Sequence, residues 1–218
     1  MARNKNKKRV FVRATQPVIL IVCEGEVVER AYFRQLKNEF KGLPVNIEIK
    51  TKKEIGGNTP DRIVKYVAKL CKGKEFQYDH IFCVFDKDSH SSYQQAIKEI
   101  EDLNNRSKRS IVAIHSAPCF EYWFLLHFEY TASPFSSTPS KSTADHCVQR
   151  LKRHVPKYDK KKELILEIFP NLFARIETAI KNAKKIQIAS KKDGFDEPFT
   201  NVNVVVEYFR KISKKNQE

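Results

Sequence analysis

Apolar and polar positions alternate in two rhythms along the first half of the chain. Val18 to Cys23 is a continuous apolar run of strand length, and Glu26 to Phe40 follows as a helix with Tyr32, Phe33, Leu36 and Phe40 on one face. Val45 to Ile49 alternates as a second strand. Thr59-Pro60-Asp61 predicts a helix start, with a cap oxygen, a proline at the first helical position and an acid in the first turn; Ile63, Val64, Val67 and Leu70 then face inward. Asp79 to Phe85 predicts a third strand, Ser91 to Leu103 a helix with Tyr93, Ile97 and Ile100 on one side, and Ile111 to His115 a fourth strand. Strict strand–helix alternation predicts an α/β fold, a mostly parallel sheet with helices on both faces and ligands beyond the carboxyl ends of the strands.

After Pro118, read as a first helical position, comes a strongly apolar helix from Cys119 to Phe128. Thr131 to Ser142 is rich in serine and proline and reads as an exposed loop. Helices are expected at Thr143 to His154, Lys161 to Phe169, Asn171 to Ala189 and Asn201 to Ile212, with an inward stripe at Leu172, Ile176, Ala179, Ile180, Ala183 and Ile186. The expected organisation is a basic, disordered arm over 1–17, a catalytic core over 18–130, and a helical C-terminal extension over 131–218 packed on or beside it.

Composition adds a bias in partner. The 218 residues carry a formal charge of +15, and no acid precedes Glu24, whereas Arg3, Lys5, Lys7, Lys8, Arg9 and Arg13 do. Such a balance favours a polyanion, DNA or RNA, because each cation on a phosphate releases counterions; solubility is the competing explanation. The five cysteines at 23, 71, 83, 119 and 147 form no C-x-x-C pair and read as reduced core thiols, as in a cytoplasmic protein. No apolar run approaches the ~20 residues of a membrane span, so no membrane partner is expected.

Three acids stand where the topology places chemistry. Glu24 ends the first strand and is followed by Gly25, read as the residue that lets the backbone turn into the helix; Asp86 and Asp88 follow the third strand, two residues apart and so on one side if the backbone stays extended. Magnesium or manganese takes oxygen ligands and keeps several waters, so a few carboxylates and a substrate phosphate suffice to hold it. Alone, each acid is also explained as a solvated turn residue.

These residues resemble the Toprim catalytic domain, with its Glu-Gly after the first strand and D-x-D after a later one, and more closely the RloB-like family. That resemblance rests on I-L-I-V-C-E-G-E-V-V-E-R-A-Y-F from Ile19 to Phe33, on Val84 to Asp88, on S-A-P-C-F-E-Y-W-F-L-L-H-F from Ser116 to Phe128, and on Thr200-Asn201-Val202. It implies a Toprim-like nuclease, with Glu24 as acid/base or metal ligand, Asp86 and Asp88 as the metal-holding pair and Glu121 as a further site residue. It also implies a role in prokaryotic antiviral defence beside a partner ATPase of the ABC/SMC-like kind. Ala117 departs from the family, in which asparagine commonly precedes the proline, and puts a side-chain contact there in doubt.

The remaining candidates have two readings each. Glu121 is also suited to a helix start, and Glu26 and Glu29 to the dipole of the first helix, with an auxiliary ligand as the alternative. His115 either orients a water or caps its strand, and His127 is structural or a partner contact. Lys87 pairs with a carboxylate or touches substrate. Lys152, Arg153, His154, Lys157, Lys160, Lys161 and Lys162 around Tyr158 suit a nucleic-acid track or solvated helix ends; by analogy with the family, Lys160 faces the scissile phosphate. No P-loop motif is present. A non-catalytic subunit that binds nucleic acid or docks on an ATPase, with a degenerate acid cluster, is the rival to a nuclease.

Overall fold

A computed structural model describes residues 16–40, 45–57, 59–73, 76–87, 91–107 and 110–215. The basic arm up to Thr15 and the candidate Asp88 lie outside the described residues. Strands β1 (Val18–Cys23), β2 (Asn46–Lys50), β3 (His80–Asp86), β4 (Ser110–Ala117) and β5 (Phe199–Thr200) form one sheet in the order β2-β1-β3-β4-β5. The first four pair in parallel, as alternation with helices requires, and β5 is antiparallel to β4.

The period of two sorts the strands onto two faces. Ile19, Ile21, Phe82, Val84 and Ile114 are buried on one, beneath α1 (Val28–Glu39), α5 (Glu121–Leu125), α6 (Thr143–Leu151), α7 (Lys162–Ala174), α8 (Ile176–Asp193) and α9 (Asn203–Lys215). Leu20, Val22, Ile81, Cys83 and Phe85 are buried on the other, beneath α2 (Lys52–Ile55), α3 (Pro60–Lys72) and α4 (Tyr93–Ser107). All six residues of the expected stripe from Leu172 to Ile186 are buried in the first of these cores.

Several boundaries differ from expectation for local reasons. The first helix begins at Val28, after Glu26, and the apolar one is regular only over Glu121–Leu125. Pro118 is therefore not its first residue; β4 runs on through Ala117, extended as a residue before proline prefers, and the Ala117–Pro118 peptide is cis. Pro170 lies within α7, and the break falls at Arg175 instead. A helical proline leaves the carbonyl four residues back without its donor; here that is Leu166, a 39% exposed position where water can take it. The short β5 is held at its site by Asn201, whose Oδ1 accepts from the His115 amide at 2.7 Å and whose Nδ2 donates to the Ala113 carbonyl at 2.9 Å.

Candidate active site

Parallel pairing brings the ends of β1, β3 and β4 to one edge. The Glu24 amide extends the ladder beyond β1, donating to the Val84 carbonyl at 2.9 Å, and Glu24 Oε2 accepts from the Asp86 amide at 3.2 Å. Asp86, last in β3, shares the face of Phe82 and Val84 and so points beneath α1 and α5. Its Oδ2 accepts from the Phe120 amide at 2.9 Å. Its Oδ1 is buried and has no hydrogen-bond partner among the described residues.

Two more acids reach the same point. Glu121, 1% exposed, accepts from the Tyr158 hydroxyl at 3.0 Å and from Lys160 Nζ at 3.1 Å, both on Oε1. Glu29 is 8% exposed, with its carboxyl lying over Gly25: a Cβ on that glycine would stand 1.8 Å from Glu29 Oε2. The glycines of positive φ among the described residues are Gly56, Gly57 and Gly194. Gly25 thus leaves room for the movable end of the Glu29 side chain and has no positive φ that only glycine favours. Gly25→Ala is expected to push the Glu29 carboxyl aside at a cost of about 1–3 kcal/mol, the usual scale of overpacking, read as a lower thermal midpoint. An unchanged midpoint would mean that the carboxyl has room to move.

A cavity of about 300 Å³ opens on Glu29, Asp86, Glu121 and Lys160, and Glu26 and Lys52 also line it. Burial, then the negative charges of Glu29 and Glu121, holds Asp86 well above the usual carboxylate range, against the opposing Phe120 hydrogen bond. Burial also pushes Glu29 up to about 7, with Glu121 and Glu24 adding to it and Lys160 opposing. For Lys160, burial acts to lower the pKa, but the Glu121 carboxylate beside it overrides that and holds the ammonium above its ordinary range.

The structure thus gathers Glu24, Asp86, Glu121 and Lys160 and adds Glu29, for which the sequence offers both the helix dipole and an auxiliary-ligand role. A usable signal was present: Tyr32 and Phe33, three and four residues on, are buried, so Glu29 falls on the inward stripe of α1. Tyr158 is also corrected. It is 1% exposed and hydrogen-bonded to Glu121, so its ring offers no platform to a base. Lys152, Arg153 and Lys157 around it face solvent.

Of the other candidates, Glu26 lines the cavity, whereas His115, His127 and Lys87 do not. His115 lies between the rings of Phe85 and Phe199, its Nδ1 2.6 Å from the Tyr93 hydroxyl, and burial pulls its pKa to about 4. His127 is fully buried, with Nδ1 2.9 Å from the Trp123 carbonyl, which makes it structural. Lys87 pairs with Glu197 at 3.3 Å and Asp196 at 3.8 Å, and Glu26 with Lys52 and Lys53. The five cysteines are free thiols. No helix among the described residues is long and apolar enough to cross a membrane.

The donor set was tested against a divalent ion. Among the described residues no group of three or more acidic, histidine or cysteine side chains is arranged to hold a metal as it stands. The chemistry nonetheless fits a hard cation: the ligands are all oxygens, the acids crowd one another, and Asp86 Oδ1 is buried without a donor. Beside the acids a smaller cavity of about 200 Å³ is lined by Arg30, Arg34 and Lys162.

No curated protein and no solved structure matches the chain. A family model described as "RloB-like protein" matches residues 19–209, a span that runs from the second residue of β1 into α9 and holds every acid of the cavity. The chain belongs to the RloB-like family.

Proposed function

We propose that this protein is a divalent-metal-dependent nuclease of Toprim type, which hydrolyses phosphodiesters of DNA or RNA at the acid cavity. The observation that carries the reading is the convergence of Asp86, Glu29 and Glu121 with the ammonium of Lys160 at the carboxyl edge of a parallel sheet, where α/β folds bind their ligands. Asp86 and Glu24 would hold a magnesium or manganese ion, joined by Asp88 if the backbone stays extended past β3. Such an ion supplies Lewis-acid stabilisation of phosphoryl oxygens and an attacking water of lowered pKa.

The chain's own groups divide the remaining work. Lys160, held by Glu121 and carried next to the buried Tyr158, donates to a non-bridging oxygen of the scissile phosphate. Glu29 takes up or releases a proton near neutrality, which suits a group that accepts one from the attacking water. Arg30, Arg34 and Lys162 neutralise the neighbouring phosphate.

The test is end-labelled DNA and RNA, single- and double-stranded, incubated with magnesium, with manganese or with chelator. Cleavage is expected with metal and none with chelator. A second reading, a non-catalytic nucleic-acid-binding or ATPase-docking subunit, draws on the absence of a ready three-ligand group among the described residues. Binding without cleavage under every metal would establish it. The proposal extends to a cytoplasmic antiviral effector acting beside an ABC/SMC-like ATPase, a reading that the family resemblance supports. Co-expression with that ATPase and sequencing of cut nucleic acids tests this.

A further inference from the structure

We propose that the groove between α2 and α3 binds single-stranded nucleic acid by stacking its bases and pairing its phosphates. The proposal deepens the nuclease reading, on which it rests for the choice of ligand. The groove measures about 740 Å³, within the ~300–1,000 Å³ typical of ligand sites. Its walls are the half-buried rings of Tyr66, Phe76 and Tyr78, the last two in edge-to-face contact with centroids 5.8 Å apart. Its cations are Lys53, Arg62 and Lys69, all exposed. Arg62, Tyr66 and Lys69 fall at helical spacing on one stripe of α3, so cation, ring and cation alternate along the groove. That alternation matches a strand whose phosphates and bases alternate.

The acids nearby are already engaged. Glu54 accepts from the Thr51 amide and hydroxyl, both at 2.8 Å, and Glu48 from the Tyr78 hydroxyl at 2.9 Å. Asp61 is paired with Lys65 at 3.0 Å and Glu26 with Lys53 at 3.6 Å, which leaves Arg62 and Lys69 as the phosphate set. Ring faces in a groove meet base faces only where bases are unstacked, so a duplex is disfavoured. The groove also leads to the chemistry: Lys52 lines the acid cavity, Lys53 lines the groove, and both pair with Glu26, at 3.4 and 3.6 Å. A strand lying along α3 therefore meets the acids across the single turn of α2.

The experiment measures anisotropy of fluorescein-labelled oligodeoxythymidylate and oligouridylate of about 12 nucleotides, and of a hairpin duplex, with the full chain in chelator. Single strands are expected to bind more tightly than the duplex. Tyr66→Ala is expected to weaken binding by about tenfold or more, the scale of one lost stacking partner. Arg62→Gln with Lys69→Gln should weaken it and reduce the salt slope by about 1.4, or 0.7 per lost phosphate contact on a single strand. Asp86→Asn should bind at least as tightly as the parent in chelator and fail to cleave the same strands when magnesium or manganese is added. Absence of binding by the parent, equal binding of the duplex, or parental affinity in groove variants with parental thermal midpoints would each overturn the groove. A cleaving Asp86→Asn variant would overturn the nuclease site and leave the groove standing.

Discussion

Replacing Asp86 by asparagine is expected to reduce metal-dependent cleavage about a thousandfold or more while raising the thermal midpoint of the metal-free protein at pH 8. A thousandfold is about 4 kcal/mol, within the several kcal/mol that a metal-held phosphoryl group draws from its cation. The opposite sign for stability follows from the cavity. Asp86 is buried among Glu29, Glu121 and Glu24, with one oxygen hydrogen-bonded to Phe120 and the other without a donor. Asparagine keeps an oxygen for the Phe120 amide and removes an ionisable group whose charged form burial and three neighbours penalise. Each kcal/mol gained would appear as about 2–4 °C in a domain of this size. A variant that cleaves at the parental rate would remove Asp86 from the chemistry; one that is inactive and also less stable would make its role structural.

The second large effect is a coupled dependence on pH and metal. Glu29 is held at about 7 when folded, above the ~4.3 of an exposed glutamate, so the folded state binds more protons between those values. The sign follows: Glu29 costs no stability below ~4.3, costs progressively more as pH rises towards 7, and a constant amount above that, on the order of 4 kcal/mol at most. Glu121 and Glu24 raise this pKa, Lys160 lowers it, and Asp86 shares the cavity. Glu29→Gln should therefore gain midpoint over the parent across this window and hold its advantage at higher pH. Parallel profiles would show that Glu29 does not titrate there. Because bound metal must displace protons, magnesium at a hundredfold excess over its dissociation constant at pH 8 should stabilise the parent there by about 2.7 kcal/mol, and by less at pH 5.5. Equal shifts at both values would argue against carboxylate ligation.

Much of the scaffold could be read from local pattern. Continuous apolar runs marked β1 and β3, and parallel topology then placed Glu24 and Asp86 at one edge without knowledge of any contact. Glu121 came into view through the family resemblance, with which its place after a strand agrees. What stayed hidden depends on distant partners. Tyr158 looked like one ring among lysines because its bond to Glu121 spans 37 positions, and β5 is two residues long, fixed by an Asn201 clamp 86 positions from His115. Gly25 was assigned to the wrong physical cause, since only the placed carboxyl of Glu29 reveals the crowding above it.

The path of the chain through the cavity also sets an order of assembly. Glu24, Glu29, Asp86 and Glu121 all precede residue 122, whereas the Lys160 ammonium and the β5 pairing beside Ser116 come from later segments. During synthesis, which folds chains from the N-terminus, the emerging polypeptide carries the acids before their counter-cation and before β5 closes the sheet edge. A ribosome stalled ahead of Lys160 would display a crowded, uncompensated acid cluster without the group proposed to grip the phosphate. On the proposed function, the nascent chain would lack the group that grips the phosphate until the segment carrying Lys160 has been delivered.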